Sequence, residues 1–446
     1  MKKNYLLGMA LMASLSFNSC DKEVVYVQDG TGVESVADGA QIITLQVENG
    51  GDGLATRAGR PLYSAEAKQT IENVKLWICD GAGNVKYVKE ISDWNTDDVS
   101  TVYTTGGHGR QTTIELKDAD KLAAGTYKIY AVGYSNSSAY TLTDVTNVAK
   151  ESTFNENMVL PCSTVGEEIF AGQMELTVEK GKGFKKPVVL NRQVAGAFAY
   201  VKDIPFMEGA KYLKLVASAQ NQSLVLGNFN SFDLTGNGSG NANVEYVVNG
   251  TNGKSGSETY VISTIDLNKW FTAIKDDNGD NLIDAGENWK NPCRPSSSPA
   301  AGTYPTFQKG SAFGGEFVIP FAHVDGKQTL TLQLTNAGGK VLRSWKVNLG
   351  STDEQLKQTI TCWNSGSTDW STSLSGELAN TYSLVRNHLY GIGTRMNDEA
   401  NPEKPGVDPD PNPENPNDKP ESLNNKQELV LKVNDNWEVI HGMELD

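Results

Sequence analysis

Short runs of alternating apolar and polar residues, divided by Gly, Asn and Asp turn signals, predict an all-β chain built of β-sandwich domains. Three observations carry this. Period-two runs recur, as in Val74-Lys75-Leu76-Trp77-Ile78, Thr126-Tyr127-Lys128-Ile129-Tyr130-Ala131-Val132, Tyr212-Leu213-Lys214-Leu215-Val216 and Leu330-Thr331-Leu332-Gln333-Leu334. Helical patterns are confined to two brief stretches, 64–70 and 266–274. Gly 44 and Pro 16 among 446 residues stay far below the roughly 25–30% that marks low complexity, so the turn-rich chain is mostly globular.

Length allows about three folding units at most. A formal net charge of -15 argues against a nucleic-acid binder or a polybasic membrane-surface protein, because both pair positive side chains with phosphates. The four histidines, at 108, 323, 388 and 441, share no zinc-ligand spacing. Residues 401–446 hold 4 Lys+Arg against 11 Asp+Glu, so nearly half of the net charge belongs to the tail and not to a binding face on the body.

At the start, Lys2 and Lys3 precede an apolar run from Tyr5 to Phe17, too short to span a bilayer and read as a secretory signal. It ends in Phe17-Asn18-Ser19-Cys20, which resembles a loose bacterial lipobox with Cys20 as the acylated residue. The acidic Asp21-Lys22-Glu23 that follows resembles the surface-export signal of Bacteroidales lipoproteins, and places the precursor on the outer membrane. Residues 1–20 are thus signal and lipobox, and 21–57 a propeptide. Within it Gln41-Ile42-Ile43-Thr44-Leu45-Gln46-Val47-Glu48 alternates as a strand. The small-residue stretch Ala55-Thr56-Arg57-Ala58-Gly59-Arg60-Pro61 suits a trypsin-like protease. Arg57 is the expected cut, leaving Ala58 as the new N-terminus; Arg60 competes but precedes a proline.

Two sandwiches are expected over 58–186 and 187–400, divided near the Lys180-Gly181-Lys182-Gly183-Phe184-Lys185-Lys186 turn, which reads as a solvated hairpin loop. Cys79, Cys162, Cys293 and Cys362 allow two disulfides in three connectivities, or four buried thiols. Residues 401–425 form a linker, with seven prolines between Asn401 and Pro420. Residues 426–446 carry a last strand with Leu429, Leu431, Val433, Trp437 and Val439 on one apolar face and no obvious partner.

If the 41–48 strand is cut away, it leaves a groove, and the tail strand of another copy has the alternation to refill it. Such a heterologous, non-closing contact builds filaments. The lipobox at Cys20, the Ala55-Thr56-Arg57-Ala58 stretch and Arg386-Asn387-His388-Leu389-Tyr390-Gly391-Ile392 together resemble the fimbrillins of Bacteroidales, the FimA/Mfa1-like subunits of type V pili. That resemblance implies two transthyretin-like sandwiches, an outer-membrane lipoprotein precursor carried into the fimbrium, an arginine-specific surface protease, and polymerisation with copies of itself or related pilins through an exchangeable C-terminal donor strand. A tip adhesin, or a surface lipoprotein that holds glycan or host protein, is the alternative. Trp363 and Trp370 would suit sugar stacking, as they would a place in the core or at its rim. No nucleophile lies at readable spacing from His388 or Arg386, whose alternation with Leu384 and Tyr390 puts all four on one strand face, and no enzyme is expected.

One motif stands apart. Asp276-Asp277-Asn278-Gly279-Asp280-Asn281-Leu282-Ile283-Asp284-Ala285-Gly286-Glu287 places oxygen ligands at EF-hand-like spacing: Asp276, Asn278, Asp280, the Leu282 carbonyl, Asp284 and Glu287. A structural calcium ion is expected there, in a loop with no outgoing helix.

Overall fold

The computed structural model describes residues 39–48, 71–103, 109–162, 167–227, 246–292, 307–321, 330–349, 360–373, 384–387, 389–395, 418–424 and 428–434. Cys20, Arg57, Ala58, Arg60, Cys293, His388, Trp437 and Val439 lie outside these residues, as does the 64–70 stretch. Among the described residues no helix is long and apolar enough to cross a membrane.

The first unit contains β1 (Gln41–Glu48), β2 (Asn73–Asp80), β3 (Val85–Ile91), β4 (Thr101–Tyr103), β5 (Gly109–Leu116), β6 (Gly125–Tyr134), β7 (Val159–Pro161), β8 (Phe170–Val178) and β9 (Phe184–Arg192). All but β7 follow one path, β3-β2-β6-β8-β9-β1-β5-β4. The path folds at a corner, because β8 and β9 pair only at Phe170↔Arg192 and Ala171↔Asn191. Four strands on each side of that corner face one another across a shared core. Ile43, Leu45 and Val47 of β1, Leu116 of β5 and Val188 and Leu190 of β9 come from one side; Val74, Leu76 and Ile78 of β2 and Ile129 and Ala131 of β6 come from the other. Alternation produced these strands, and burial of one face of each made the sandwich. The 180–186 turn therefore does not close a regular hairpin. It carries the chain from one sheet to the other, because β9 turns away from β8 to pair in parallel with β1.

The outer face of β2 and β6, with Trp77, Cys79, Tyr130 and Val132, is covered by the segment holding α1 (Thr143–Thr146), Met158 and Leu160, and this layer runs on into the core of the second unit. Cys79, Cys162 and Cys362 are thiols, the first two buried. Burial pushes the Cys79 thiol up to about 12, with Asp80 and Glu156 adding to it, and Cys362 up to about 11.

The second unit begins at β10 (Ala195–Lys202), so β9 belongs to the first sandwich and the boundary falls at 193–194 instead of 186. The remaining strands are β11 (Ala210–Gln220), β12 (Ser223–Val225), β13 (Tyr246–Val248), β14 (Gly250–Thr251), β15 (Lys254–Asp266), β16 (Ala312–Val318), β17 (Leu330–Asn336), β18 (Val341–Leu349), β19 (Ile360–Asn364), β20 (Asp369–Ser373), β21 (Leu389–Ile392), β22 (Thr394–Arg395), β23 (Asp418–Lys419), β24 (Glu421–Ser422) and β25 (Glu428–Asn434). The large sheet runs β15-β11-β17-β18-β25-β21-β10-β16, with β24 paired to β10. It curls until its ends meet: a Cβ on Gly314 of β16 would sit 2.9 Å from Ile265 Cγ1 of β15. α2 (Leu267–Trp270) is the brief helix expected after 266, with Asp266 as N-cap accepting from Asn268 N. A small sheet, β14-β12-β7, ties the two units together.

A buried polar joint reinforces that tie. Arg192 Nε donates to Glu168 Oε1 at 2.8 Å, with side-chain exposures of 0% and 2%. Burial lowers the affinity of Arg192 for its proton, and Glu168 offsets this. Arg386 donates to Gln193 Oε1 at 3.0 Å and to the Gly227 carbonyl at 3.1 Å. Residues 384–387 are therefore not the strand face expected for Leu384, Arg386 and Tyr390. Asn387 has φ 57° in a turn, its amide donates to Val194 O, and the strand starts only at Leu389.

Candidate functional site

β1 is the strand that the sequence marks as removable. Its sequence alternates β-branched and Leu residues with polar ones, which favours an extended strand with one apolar face. It lies between β5, antiparallel (Gln41↔Leu116 through Glu48↔Gly109), and β9, parallel (Gln41↔Phe184 through Val47↔Leu190). Ile43, Leu45 and Val47 are 0% exposed. Gln41 fixes the register: its Nε2 donates to the Leu122 carbonyl at 2.9 Å, and its Oε1 accepts from the Leu122 amide at 2.7 Å. The entry to the strand passes Gly183, where a Cβ would lie 2.1 Å from the Ala40 carbonyl oxygen. Residues 49–72 join this strand to β2, and Arg57 lies among them.

The tail does not hang free as the sequence suggests. β25 sits inside the chain's own second sheet, parallel to β18 (Lys346↔Glu428 through Leu349↔Leu431) and antiparallel to β21 (Leu389↔Asn434 through Ile392↔Leu431). Leu429 is 1% exposed. The stretch expected as linker also ends early. β23 pairs with β22, β24 pairs with β10, and Leu423 is fully buried, its amide donating to Lys202 O at 2.9 Å. Gly393 permits this, since a Cβ there would lie 2.3 Å from Tyr200 O and 3.1 Å from Glu421 N. Alternation foretold a strand with one apolar face, but which sheet buries that face depends on partners hundreds of residues away.

The 276–287 loop is organised by its own carboxylates. Asp276 accepts from the amides of Gly279, Asp280 and Asn281, Asp280 from Leu282 N, and Asp284 from Asp277 N. Asn281 adopts φ 65°, the left-handed conformation its position requires. The incoming helix is short, ending at Trp270 instead of running to 274, and Phe271 bridges to Trp289 across the loop. Asp277, Asn278, Asp280, Asp284 and Glu287 line a cleft of about 580 Å³ with Lys275 and Lys309, and Lys275 pairs with Asp277. Among the described residues no three His, Cys, Asp or Glu side chains group so as to hold a metal ion.

Trp363 and Trp370 face each other across the β19–β20 hairpin, ring centroids 5.2 Å apart and edge to face. Trp370 Nε1 donates to Asn157 Oδ1 at 3.0 Å, so this ring ties the hairpin to the first unit. Both rings are partly exposed, a place at the rim of the core.

No family model and no curated protein matches the chain. The solved structures it resembles include proteins described as fimbrial, as adhesins or cell adhesion proteins, and as polysaccharide binding. A fimbrial assembly protein from Parabacteroides distasonis is 12% identical, covering 81% of this chain and 92% of its own, with a TM-score of 0.35. The fimbrial anchor protein Mfa2 from Porphyromonas gingivalis is 11% identical, covering 78% and 99%, with a TM-score of 0.30. Scores of this size leave the sandwich architecture resting on strand register and burial.

Proposed function

We propose that the chain is a structural subunit of a cell-surface pilus, exported as a lipoprotein acylated at Cys20, cut after Arg57, and polymerised by donor-strand exchange with copies of itself or related pilins. The observation that carries this reading is the position of β1. It is an interior strand, with three fully buried side chains, yet its covalent tie to the body runs through a segment that offers a protease an arginine among small residues. After the cut it is held only by non-covalent contacts, and its loss opens a long apolar groove between β5 and β9. Such a groove must be refilled, and an alternating strand at the end of the chain is the right filler. Donation requires β25 to leave β18 and β21, so exchange trades one set of ladder hydrogen bonds for another.

The test is polymerisation of the trimmed protein. Chains beginning at Ala58 should form filaments, and the same chains lacking residues 426–446 should remain monomers. Filaments from the truncated protein would sink the mechanism. The tip-adhesin alternative draws on the partly exposed Trp363 and Trp370, and selective binding of the monomer on a glycan array would favour it. For the 276–287 loop a structural calcium ion is proposed, with Asp276, Asn278, Asp280, Asp284, Glu287 and the Leu282 carbonyl as ligands once their oxygens turn inward. Isothermal titration with calcium tests it, and no heat and no rise in melting temperature would end that proposal.

A further inference from the structure

The removable strand and the tail share a face pattern. β1 reads Gln41-Ile42-Ile43-Thr44-Leu45-Gln46-Val47-Glu48, and residues 427–434 read Gln427-Glu428-Leu429-Val430-Leu431-Lys432-Val433-Asn434. Aligned without a gap, the core-facing positions are Gln, Ile, Leu, Val in one and Gln, Leu, Leu, Val in the other. The opposite positions differ throughout, with Glu428, Val430, Lys432 and Asn434 standing for Ile42, Thr44, Gln46 and Glu48. The match is thus confined to the face that carries Ile43, Leu45 and Val47 into the sandwich core; Thr44 and Gln46 on the other face are shielded as well, at 1% and 8% exposed. The two strands also occupy slots of the same kind. β1 has one antiparallel neighbour and one parallel neighbour, and so has β25.

We propose that residues 427–434 of one copy replace residues 41–48 of the next in the same direction and in this register, with Gln427 taking over the two hydrogen bonds that Gln41 makes to Leu122. This rests on the strand-exchange reading above and fixes its geometry. Leu429 then fills the Ile43 site, Leu431 the Leu45 site and Val433 the Val47 site, each of which is 0% exposed when β1 occupies it.

The neighbouring registers are excluded by burial. Sliding the donor two residues one way puts Gln427 into the Ile43 site; sliding it the other way puts Asp435 into the Val47 site and Leu429 opposite the Leu122 amide and carbonyl. Each leaves a polar group without partners in an apolar slot, or an apolar group where a buried backbone pair needs one. A one-residue slip turns Leu429, Leu431 and Val433 away from the sandwich core and Glu428, Val430 and Lys432 into it. Gln427 is thus a register lock: the one polar residue on the donor's apolar face, placed where the Leu122 amide and carbonyl offer it a donor and an acceptor.

Cross-strand cysteines test this in filaments of the full trimmed chain. Gln46 pairs with Gln111 across β1 and β5, Gln46 Nε2 donating to Gln111 Oε1 at 3.1 Å, and Lys432 is the residue that takes the place of Gln46. Lys432→Cys with Gln111→Cys should give an oxidation-dependent ladder of covalent oligomers. Lys432→Cys with Thr113→Cys, two residues out of register, should not, and each single variant sets the background from the native cysteines. Gln427→Ala should slow assembly about tenfold, as expected for two lost hydrogen bonds, without changing the melting temperature of the uncut precursor. If filaments form but the out-of-register pair links, or neither pair links, the register is wrong while strand exchange survives. If the trimmed wild-type chain forms no filaments at all, strand exchange fails and the register with it.

Discussion

Removing β1 should weaken the first sandwich by an amount that can be estimated from three side chains. Ile43, Leu45 and Val47 are each 0% exposed, and fully burying a residue of this kind contributes about 1.5–3 kcal/mol. Together they supply roughly 5–9 kcal/mol, an upper range because the unfolded chain already hides some apolar surface. That is comparable to the whole stability of a typical domain, about 5–15 kcal/mol. For a unit of this size it corresponds to a fall of about 10–20 °C or more in melting temperature. The comparison is between the unlipidated precursor, residues 21–446, and the monomer fraction of the chain beginning at Ala58, followed by circular dichroism. Adding a synthetic peptide of residues 39–48 to the shorter chain should restore much of the loss in a concentration-dependent way, by mass action. A trimmed monomer that melts with the precursor and ignores the peptide would refute the claim that β1 holds the sandwich together.

Three other perturbations have defined outcomes. Glu168→Ala leaves the Arg192 guanidinium buried without its carboxylate and should cost about 3–5 kcal/mol in chemical denaturation, whereas Arg192→Met combined with Glu168→Leu should recover most of it. Gly183→Ala drives a Cβ into the Ala40 carbonyl, so after cleavage the 41–48 peptide should leave faster than from wild type, with about 1–3 kcal/mol lost from its docking. Burial raises the Glu316 carboxyl from the ordinary 4.5 to about 7. The folded state then holds this proton more tightly than the unfolded state, so stability should be fully present below about 4.5 and decline as pH rises toward 7. Glu316→Gln should flatten that slope, and an unchanged slope would assign it to other groups.

Much of the architecture was legible because burial of one strand face writes a period of two into the sequence. The runs around Val74, Thr126, Tyr212 and Leu330 became β2, β6, β11 and β17, and 41–48 became β1 with the expected bounds. What alternation does not encode is pairing. β9 and β10 read alike, so the boundary was placed at the Lys-rich turn, whereas parallel pairing with β1 keeps β9 in the first sandwich. The turn at Arg386-Asn387 was hidden for a related reason: its partners are Gln193, Val194, Gly227 and Val247, none of them near in sequence. The tail strand was recognised, but its docking between β18 and β21 was not, since a strand with one apolar face fits any slot with the right floor. In the 276–287 loop the spacing of oxygen side chains was legible, while the capture of Asp276 by three backbone amides was not.

The central claim is that this chain enters filaments only after losing β1. The N-terminal residue of the subunit recovered from cell-surface filaments tests that most directly. Mass spectrometry should find Ala58. An intact chain beginning at acylated Cys20, with 41–48 still attached, would contradict the account.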